Sequence, residues 1–554
     1  MLQTYNAKLN EALTLINRTK IREALILLKK LSKDSQYTTN ANYHYYLGLA
    51  YEKSMDLGNA IESYKNCLKL DINNWLPYHR IARILAKDEQ QLLALFYIEE
   101  ALKLTRNNHE LYKDAAYITN TIGMADKAYQ YCKRACELNP ENTVYFTSLI
   151  FFVHKLADST PGELYELSQE YYNKYISKIP NLDIDFTKQL KPNKSKLKLG
   201  FISADFRTHP VSTNLHKIFQ KLNRDKFDIY MYYADDITDN ITDDFKAFAT
   251  EFKFIKKMND ENVCKQILKD NIDILFDLSG FTSGDRLRIF KRKPAPLQIS
   301  FLGYFGTLGM PEIDYIISDD TLVRADEDQY FTEKVYKLPG CHMHADLYNL
   351  PSDIPELPYL KNGYVTFGSM NNAHKISTKM ISYWAEILKR VDNSKLYLDA
   401  RALSSECNQN YLIKQFQEQG IHRDRLIMKA SLARSDYLQS FSNIDIALDS
   451  TPYGGGTTTI ETLSMGVPVI TLYGNKWISR QASTFLKAIQ HEELIASTMD
   501  DYINKAIGLA NNIEKLKTYR NNLNSEMKLH LNSDDYVKKF ETAIEDMWQQ
   551  KCRK

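Results

Sequence analysis

Nowhere does the chain offer the roughly 18 consecutive apolar residues that a membrane-spanning helix needs, so no span is expected. Cysteine is scarce: seven in 554 residues, odd in number and scattered, make no disulfide framework and fit a reducing compartment. Cys132 and Cys136 lie one helical turn apart, but two thiols without a second pair make a poor zinc site, and packing is their simpler role. An excess of either charge is missing too. With 71 basic against 69 acidic residues, no field of one sign favours nucleic acid or an anionic membrane as partner. The start, Met1-Leu-Gln-Thr-Tyr-Asn-Ala-Lys, lacks the basic and apolar regions of a secretory leader, and the cytoplasm is the expected location. The wealth of Asn, Ile, Lys and Tyr is the residue usage of an AT-rich genome, and a bacterial source is expected.

What is present has the length of three or four domains at about 150 residues each. The first third repeats itself. Ala60, Ala94 and Ala128 stand 34 residues apart, as do Cys67, Ala101 and Ala135. Small residues at such steps let two helices of one unit approach closely. Leu47, Gly48, Tyr51, Ala60 and Tyr64 fall on the pattern of the tetratricopeptide family, which this array resembles. Ala24 marks an earlier partial unit, and the aromatic-rich stretch 141–178 reads as the cap of the stack. A domain of repeats and capping helices is expected over 1–180. Stacked helix pairs curve into grooves that hold proteins, although a plain spacer or an oligomerisation arm fits the repeats as well.

Beyond Pro192 the pattern changes to strands alternating with helices, the mark of parallel sheets covered on both faces. Strands are expected at 196–203, 227–233, 272–278, 297–302 and 315–318. A second set at 364–369, 395–399, 425–428, 444–448 and 467–472 follows the proline-spaced stretch 350–358. Two such units, 196–350 and 359–535, leave a cleft at the carboxyl ends of their strands, and 536–554 reads as a final helix.

The most informative segment is Leu448-Asp-Ser-Thr-Pro-Tyr-Gly-Gly-Gly-Thr-Thr-Thr-Ile-Glu461. It reads as a strand, a glycine turn and the first turn of a helix. Gly455 and Gly456 permit backbone shapes closed to other residues, and Thr457 and Thr458 add hydroxyls to a helix N-terminus that favours a diphosphate. Glu461, one turn in, suits the hydroxyls of a ribose. Thr458-x-x-Glu461 is equally a capping box, and spacing alone leaves both readings open.

With these residues in view, the chain from about 196 to 500 resembles the O-linked N-acetylglucosamine transferase and SPINDLY family of protein glycosyltransferases, in which tetratricopeptide repeats also precede the core. Thr457, Thr458 and Glu461 match the family's phosphate-contacting threonines and ribose-binding acid; Gly456 stands where some members carry histidine. Gly200-Phe-Ile-Ser-Ala-Asp-Phe-Arg-Thr-His-Pro210 resembles the first-strand motif, whose active-site histidine is matched by His209. In Pro294-Ala-Pro-Leu-Gln-Ile-Ser-Phe-Leu-Gly-Tyr-Phe-Gly-Thr-Leu-Gly309, Gly303, Gly306 and Thr307 match a loop facing sugar and phosphates. In Phe367-Gly-Ser-Met-Asn-Asn-Ala-His-Lys-Ile376, Lys375 matches a phosphate-facing lysine and Asn372 takes the place of a glutamine. Arg434 replaces a lysine and Tyr437 a histidine.

The resemblance implies an α-solenoid followed by a two-lobed Rossmann core of the GT-B type. It further implies an enzyme that transfers a sugar, N-acetylglucosamine from UDP first among the candidates, to Ser or Thr of acceptor proteins with inversion. A glucosyl or fucosyl donor, an asparagine acceptor, or an adaptor that binds a nucleotide sugar without turnover are the alternatives. No Asp-x-Asp lies at a suitable loop, so Lys375, the threonines and the helix N-terminus are expected to replace a metal, with no cofactor. By residue type His209 is the first candidate for the base, and Asp273, near a histidine position of relatives, is the second. His342-Met-His344-Ala-Asp346 looks like a metal cluster but has no supporting second group. The acceptor protein is expected along the repeats, and a homo-oligomer stays open.

Overall fold

The 34-residue period folds into pairs of antiparallel helices: Ala41–Lys53 with Leu57–Leu70, Trp75–Lys87 with Gln91–Leu104, and His109–Thr121 with Ala125–Leu138. The computed structural model describes residues 2–347, 350–351, 353–431 and 433–553. Each pair closes where the small residues stand: Ala60, Ala94, Ala128, Cys67, Ala101 and Ala135 are all completely buried. At Gly48 a Cβ would meet the Tyr64 ring at 2.5 Å, so only glycine allows that approach. Tyrosine rings pair across each unit, Tyr45 with Tyr64, Tyr78 with Tyr97 and Tyr112 with Tyr131, at 5.8, 6.2 and 6.1 Å. The same period writes the helix starts. Asn40, Asn74, Asn108 and Asn142 each accept, on the side-chain oxygen, the N–H two residues ahead. This satisfies one of the four amide groups that a helix start leaves free.

Asn142 thus opens Thr143–Val153 as if it began another repeat. That helix nevertheless belongs elsewhere. One compact unit comprises Met1–Pro140 and Arg401–Leu412, the other Glu141–Ala400 and Ile413–Lys554. Residues 141–180, placed with the repeats on sequence grounds, are therefore part of the α/β unit. Conversely, Arg401–Leu412 falls in the repeat unit, where Asn408 Nδ2 donates to Glu89 O (2.8 Å) and Gln91 Oε1 (2.7 Å).

The α/β unit holds two parallel sheets. The first comprises β1 (Leu197–Ser203), β2 (Phe227–Tyr233), β3 (Glu251–Phe254), β4 (Ile274–Asp277), β5 (Leu297–Ser300), β6 (Tyr315–Ser318) and β7 (Lys334–Lys337). Their order is β3-β2-β1-β4-β5-β6-β7. The second comprises β8 (Thr366–Ser369), β9 (Lys395–Asp399), β10 (Leu426–Lys429), β11 (Ile446–Leu448), β12 (Val469–Leu472) and β13 (Ile495–Ala496), in the order β10-β9-β8-β11-β12-β13. Both sheets reverse direction of build after their first strand, between β1 and β4 and between β8 and β11. At such a switch point the loops leaving the strand ends part and open a crevice. The chain segments following β1, β4, β8 and β11 are consequently the ones able to hold a ligand. The edge strands β3, β7 and β13, none of them expected from the sequence, complete the sheets.

No helix among the described residues is long and apolar enough to cross a membrane. None of the seven cysteines is in a disulfide. The final helix, Ser533–Arg553, crosses back to the first lobe, where Phe540 meets the rings of Phe276 and Phe301 at 6.1 and 5.1 Å. The lobes are also joined directly. Arg480 and Glu327, 0% and 1% exposed, form an ion pair at 2.5 Å, and Arg480 Nε donates to Leu322 O. Thr484 adds a hydrogen bond to Asp319 (2.7 Å). Removing one partner of a buried pair strands the other charge. Glu327→Ala is therefore expected to lower stability by about 3–5 kcal/mol, read as a shift in the midpoint of urea denaturation, with Glu327→Gln costing less.

Candidate active site

The switch-point segments of both lobes, joined by the segment that follows β5, line one cavity of about 360 Å³. From the first lobe come His209, Asn214, Gly303 and Tyr304; from the second come Asn372, Lys375, Tyr453, Gly456, Thr457 and Thr458.

The second-lobe wall is organised by Asp449, the residue after β11. Its Oδ1 accepts from the N–H groups of Ser450 (2.9 Å) and Gly455 (2.8 Å), and Oδ2 from the Thr471 hydroxyl (2.8 Å). Burial pushes this carboxyl up, and the Lys375 ammonium opposes the shift. The loop so held delivers the chain to the helix Thr457–Ser464, whose N-cap, Gly456, supplies no side-chain bond. The capping box does not form: Thr458 lies inside the helix, and Glu461 turns instead to Arg434 (2.5 Å) and to the Tyr437 hydroxyl (2.9 Å). The helix start is left with unclaimed amide donors and its positive dipole end. At Gly456 a Cβ would stand 2.3 Å from Gln481 Oε1, so the glutamine occupies the room a side chain would need.

Lys375 is held with Nζ 2.7 Å from Gly454 O and 4.6 Å from the centre of the Tyr453 ring. Burial pushes its ammonium down to about 8, with Asp449 as the opposing influence. His209 is the N-cap of Pro210–Lys221; its Nδ1 lies 3.3 Å from Val211 N and 3.5 Å from Asp205 Oδ2. Burial lowers its pKa below the usual histidine value, against the pull of Asp205. The imidazole is neutral near pH 7, the state a base requires. Asn214 Nδ2 donates to Thr457 Oγ1 (3.0 Å), tying the first lobe to the helix start of the second.

Not all the expected residues arrive here. Asp273 precedes β4 and so sits at the amino end of the sheet, opposite the cavity. Its carboxylate is completely buried and accepts from Lys194 Nζ (2.6 and 2.7 Å), Gln189 Nε2 (2.8 Å) and Lys198 N (2.8 Å). It anchors the entry into the lobe, and its assignment as a base is withdrawn. Thr307 is turned inward, donating to Glu333 Oε2 (2.7 Å). Gly306 lets Trp477 of the second lobe come close: a Cβ would lie 3.2 Å from its Nε1. Both support the loop and do not line the cavity. Gly303 does line it, and its lack of a side chain is enforced, since a Cβ would fall 1.9 Å from Leu278 O. Gly455 lies behind the wall and Arg434 opens on a neighbouring cavity with Leu438 and Met465.

The metal-like string also separates. His342 pairs with Asp319 (2.5 Å), His344 with Asn214 O (2.8 Å) and Asp346 with Ser533 (2.6 Å). Asp319, Cys341 and His342 have ligand-type atoms within 4.8 Å of one another. The Asp319 carboxylate there already serves Thr321 N, Leu322 N, His342 and Thr484. Sequence reasoning missed Asp449, Asn214, Tyr304, Gln481 and the pair Phe151 and His154, which reach the cavity from Thr143–Val153 and its end. Asp449 and Tyr304, each inside a recognised segment, carried a local signal.

The geometry has counterparts. A tetratricopeptide-repeat model matches residues 41–74. A mutant of the Thermobaculum terrenum O-GlcNAc transferase superimposes with a TM-score of 0.81 at 26% identity, covering 93% of this chain and 98% of the other. From Arabidopsis thaliana, the probable UDP-N-acetylglucosamine–peptide N-acetylglucosaminyltransferase SPINDLY is 29% identical over 376 residues, 66% of this chain and 41% of its own length. The similarly described SEC of that plant is 29% identical over 372 residues, 64% of this chain and 38% of its own. The chain thus spans about two-fifths of the length of these curated relatives. The model for glycosyl transferase family 41 matches residues 172–357 and 348–539, through both lobes. With two successive switch points, one shared cavity and a family match running through both sheets, this chain belongs to glycosyl transferase family 41.

Proposed function

We propose that the chain transfers a sugar from a nucleoside diphosphate to a side-chain hydroxyl of a protein, with UDP-N-acetylglucosamine as donor and Ser or Thr as acceptor. One observation carries this reading: an uncapped helix start and the Lys375 ammonium meet His209 in a single cavity. The names of the relatives support the donor, and the repeats support a protein as acceptor.

In this mechanism the acceptor oxygen attacks the anomeric carbon while the bond from that carbon to the β-phosphate oxygen breaks. The electron pair stays on the diphosphate, where Lys375, the threonine hydroxyls and the helix amides stabilise the growing charge. The acceptor proton passes to the His209 imidazole, whose cation is stabilised by the nearby Asp205 carboxylate. A double displacement with retention would need a carboxylate nucleophile. No Asp or Glu side chain lines the cavity among the described residues, which favours a single inverting step. The same donors supply the charge that a divalent ion supplies elsewhere, and the transfer is read as metal-independent.

Lys375→Ala is expected to cut transfer about 10²–10³-fold, the cost of losing one preorganised donor, while UDP affinity measured by calorimetry changes only a few-fold. The pH profile of kcat/KM follows from the two shifts. Lys375 loses its charge as pH rises through about 8, so activity falls on the alkaline side. His209 becomes protonated only below its ordinary value, so the acid limb lies below the usual histidine range. EDTA is expected to leave transfer unchanged; loss with EDTA and recovery with Mg²⁺ or Mn²⁺ would contradict the metal-free reading.

A further inference from the structure

Most polar atoms around the cavity have partners. His154 is an exception. It is 2% exposed, follows the helix Thr143–Val153, and lines the cavity. Its Nε2 lies 2.7 Å from the Tyr304 hydroxyl, while Nδ1 is buried with no hydrogen-bond partner. The phenol is the stronger acid and a neutral imidazole nitrogen the stronger acceptor, so Tyr304 donates to Nε2 and the ring keeps its hydrogen on Nδ1. The ring is neutral: burial, with Lys476 and Lys155 nearby, pushes it down to about 3. What remains is one N–H donor, fixed in direction, at a place where an unmet hydrogen bond is costly.

On the same cavity, Asn214 leaves Oδ1 buried and unpartnered while its Nδ2 holds Thr457. A lone donor and a lone acceptor suit a ligand rich in hydroxyls, which accept and donate alike. Gly303, Tyr304 and His154 line the same cavity as the start of the helix Thr457–Ser464, so the sugar of a donor whose phosphates rest on that helix start shares the cavity with them.

We infer that His154 is a sugar-recognition residue, its Nδ1–H donating to an oxygen of the transferred sugar and its orientation fixed by Tyr304. The inference rests on the proposed nucleotide-sugar reading of the cavity. It adds to the site a residue from the repeat-like helix that precedes both lobes.

Binding of UDP and of UDP-N-acetylglucosamine to the full chain would be titrated for wild type, His154→Phe, His154→Asn and His154→Gln. An asparagine amide can replace Nδ1–H, whereas a glutamine amide reaches the place of Nε2. Expected are unchanged UDP affinity throughout, about tenfold weaker nucleotide-sugar binding for His154→Phe and His154→Gln, and partial recovery for His154→Asn. Tyr304→Phe, which keeps the ring and frees the imidazole, should weaken the nucleotide sugar alone and serves where a His154 variant fails to fold. Equal weakening of UDP and nucleotide sugar, recovery by glutamine but not asparagine, or no change at all would overturn the inference. Failure of the wild-type chain to bind UDP would remove the nucleotide reading and this inference with it. Normal UDP binding with an unaltered preference in His154→Phe would remove this inference alone.

Discussion

The chemistry of the cleft depends on one buried carboxylate. Asp449 gathers Ser450 N, Gly455 N and the Thr471 hydroxyl, and these bonds shape the glycine loop that delivers an uncapped helix start to the cavity. Asn371 Nδ2, from the segment after β8, reaches the same carboxylate at 3.2 Å, so the two loops of the second switch point share one anchor. Lys375 lies within its field. The Asp449 carboxyl and the Lys375 ammonium each favour the charged form of the other against burial. This is preorganisation in a plain sense: the dipoles point at the site before any ligand arrives, and no reorientation is needed when charge develops.

Much of this was legible in the sequence, for local reasons. The 34-residue step sets small residues and tyrosine pairs in register, and the same step carries the asparagine caps from Asn40 to Asn142. The central strands read well because they are buried on both faces, as at β4, where all four residues are buried. The strands that went unread lie at sheet edges. β3 is Glu-Phe-Lys-Phe with no buried residue, β7 is Lys-Val-Tyr-Lys, and β13 has two residues, so none shows the apolar run that marks an inner strand.

The candidate site was less legible, because it is assembled over long distances. Asn214 meets Thr457 across 243 positions and His154 meets Tyr304 across 150. No spacing rule encodes such pairs. Asp273 shows the complementary failure. A carboxylate beside a predicted strand has the right type for a base, but only the direction of the strand decides which end of the sheet it occupies. The boundary at 180 failed for a related reason: residues 141–153 keep the repeat's capping signal, yet their apolar partners lie in the α/β unit. Phe151 and His154 point to the gain from that transfer, since a repeat-like helix there becomes a wall of the cavity.

The cavity and its surroundings are rich in buried cations and poor in carboxylates. Burial pushes Lys375 down to about 8, and does the same to Lys476, whose Nζ donates to His154 O, Leu156 O and Ser159 Oγ. Lys155, beside the Phe151 ring at 4.8 Å, is pushed down to about 7. A lysine with a lowered folded pKa is a burden on the fold wherever it is charged: the unfolded chain binds its proton more tightly, so this cost is present in full below the folded pKa and lifts as pH rises toward the unfolded value. At neutral pH the fold therefore holds charge that it would be more stable without. In the proposed reaction, an entering diphosphate reverses the sign of the local field for Lys375, the lysine that lines the cavity. Its charge favours the protonated lysine and holds that proton in place. On that reading the ammonium is most firmly charged when the sugar is about to leave.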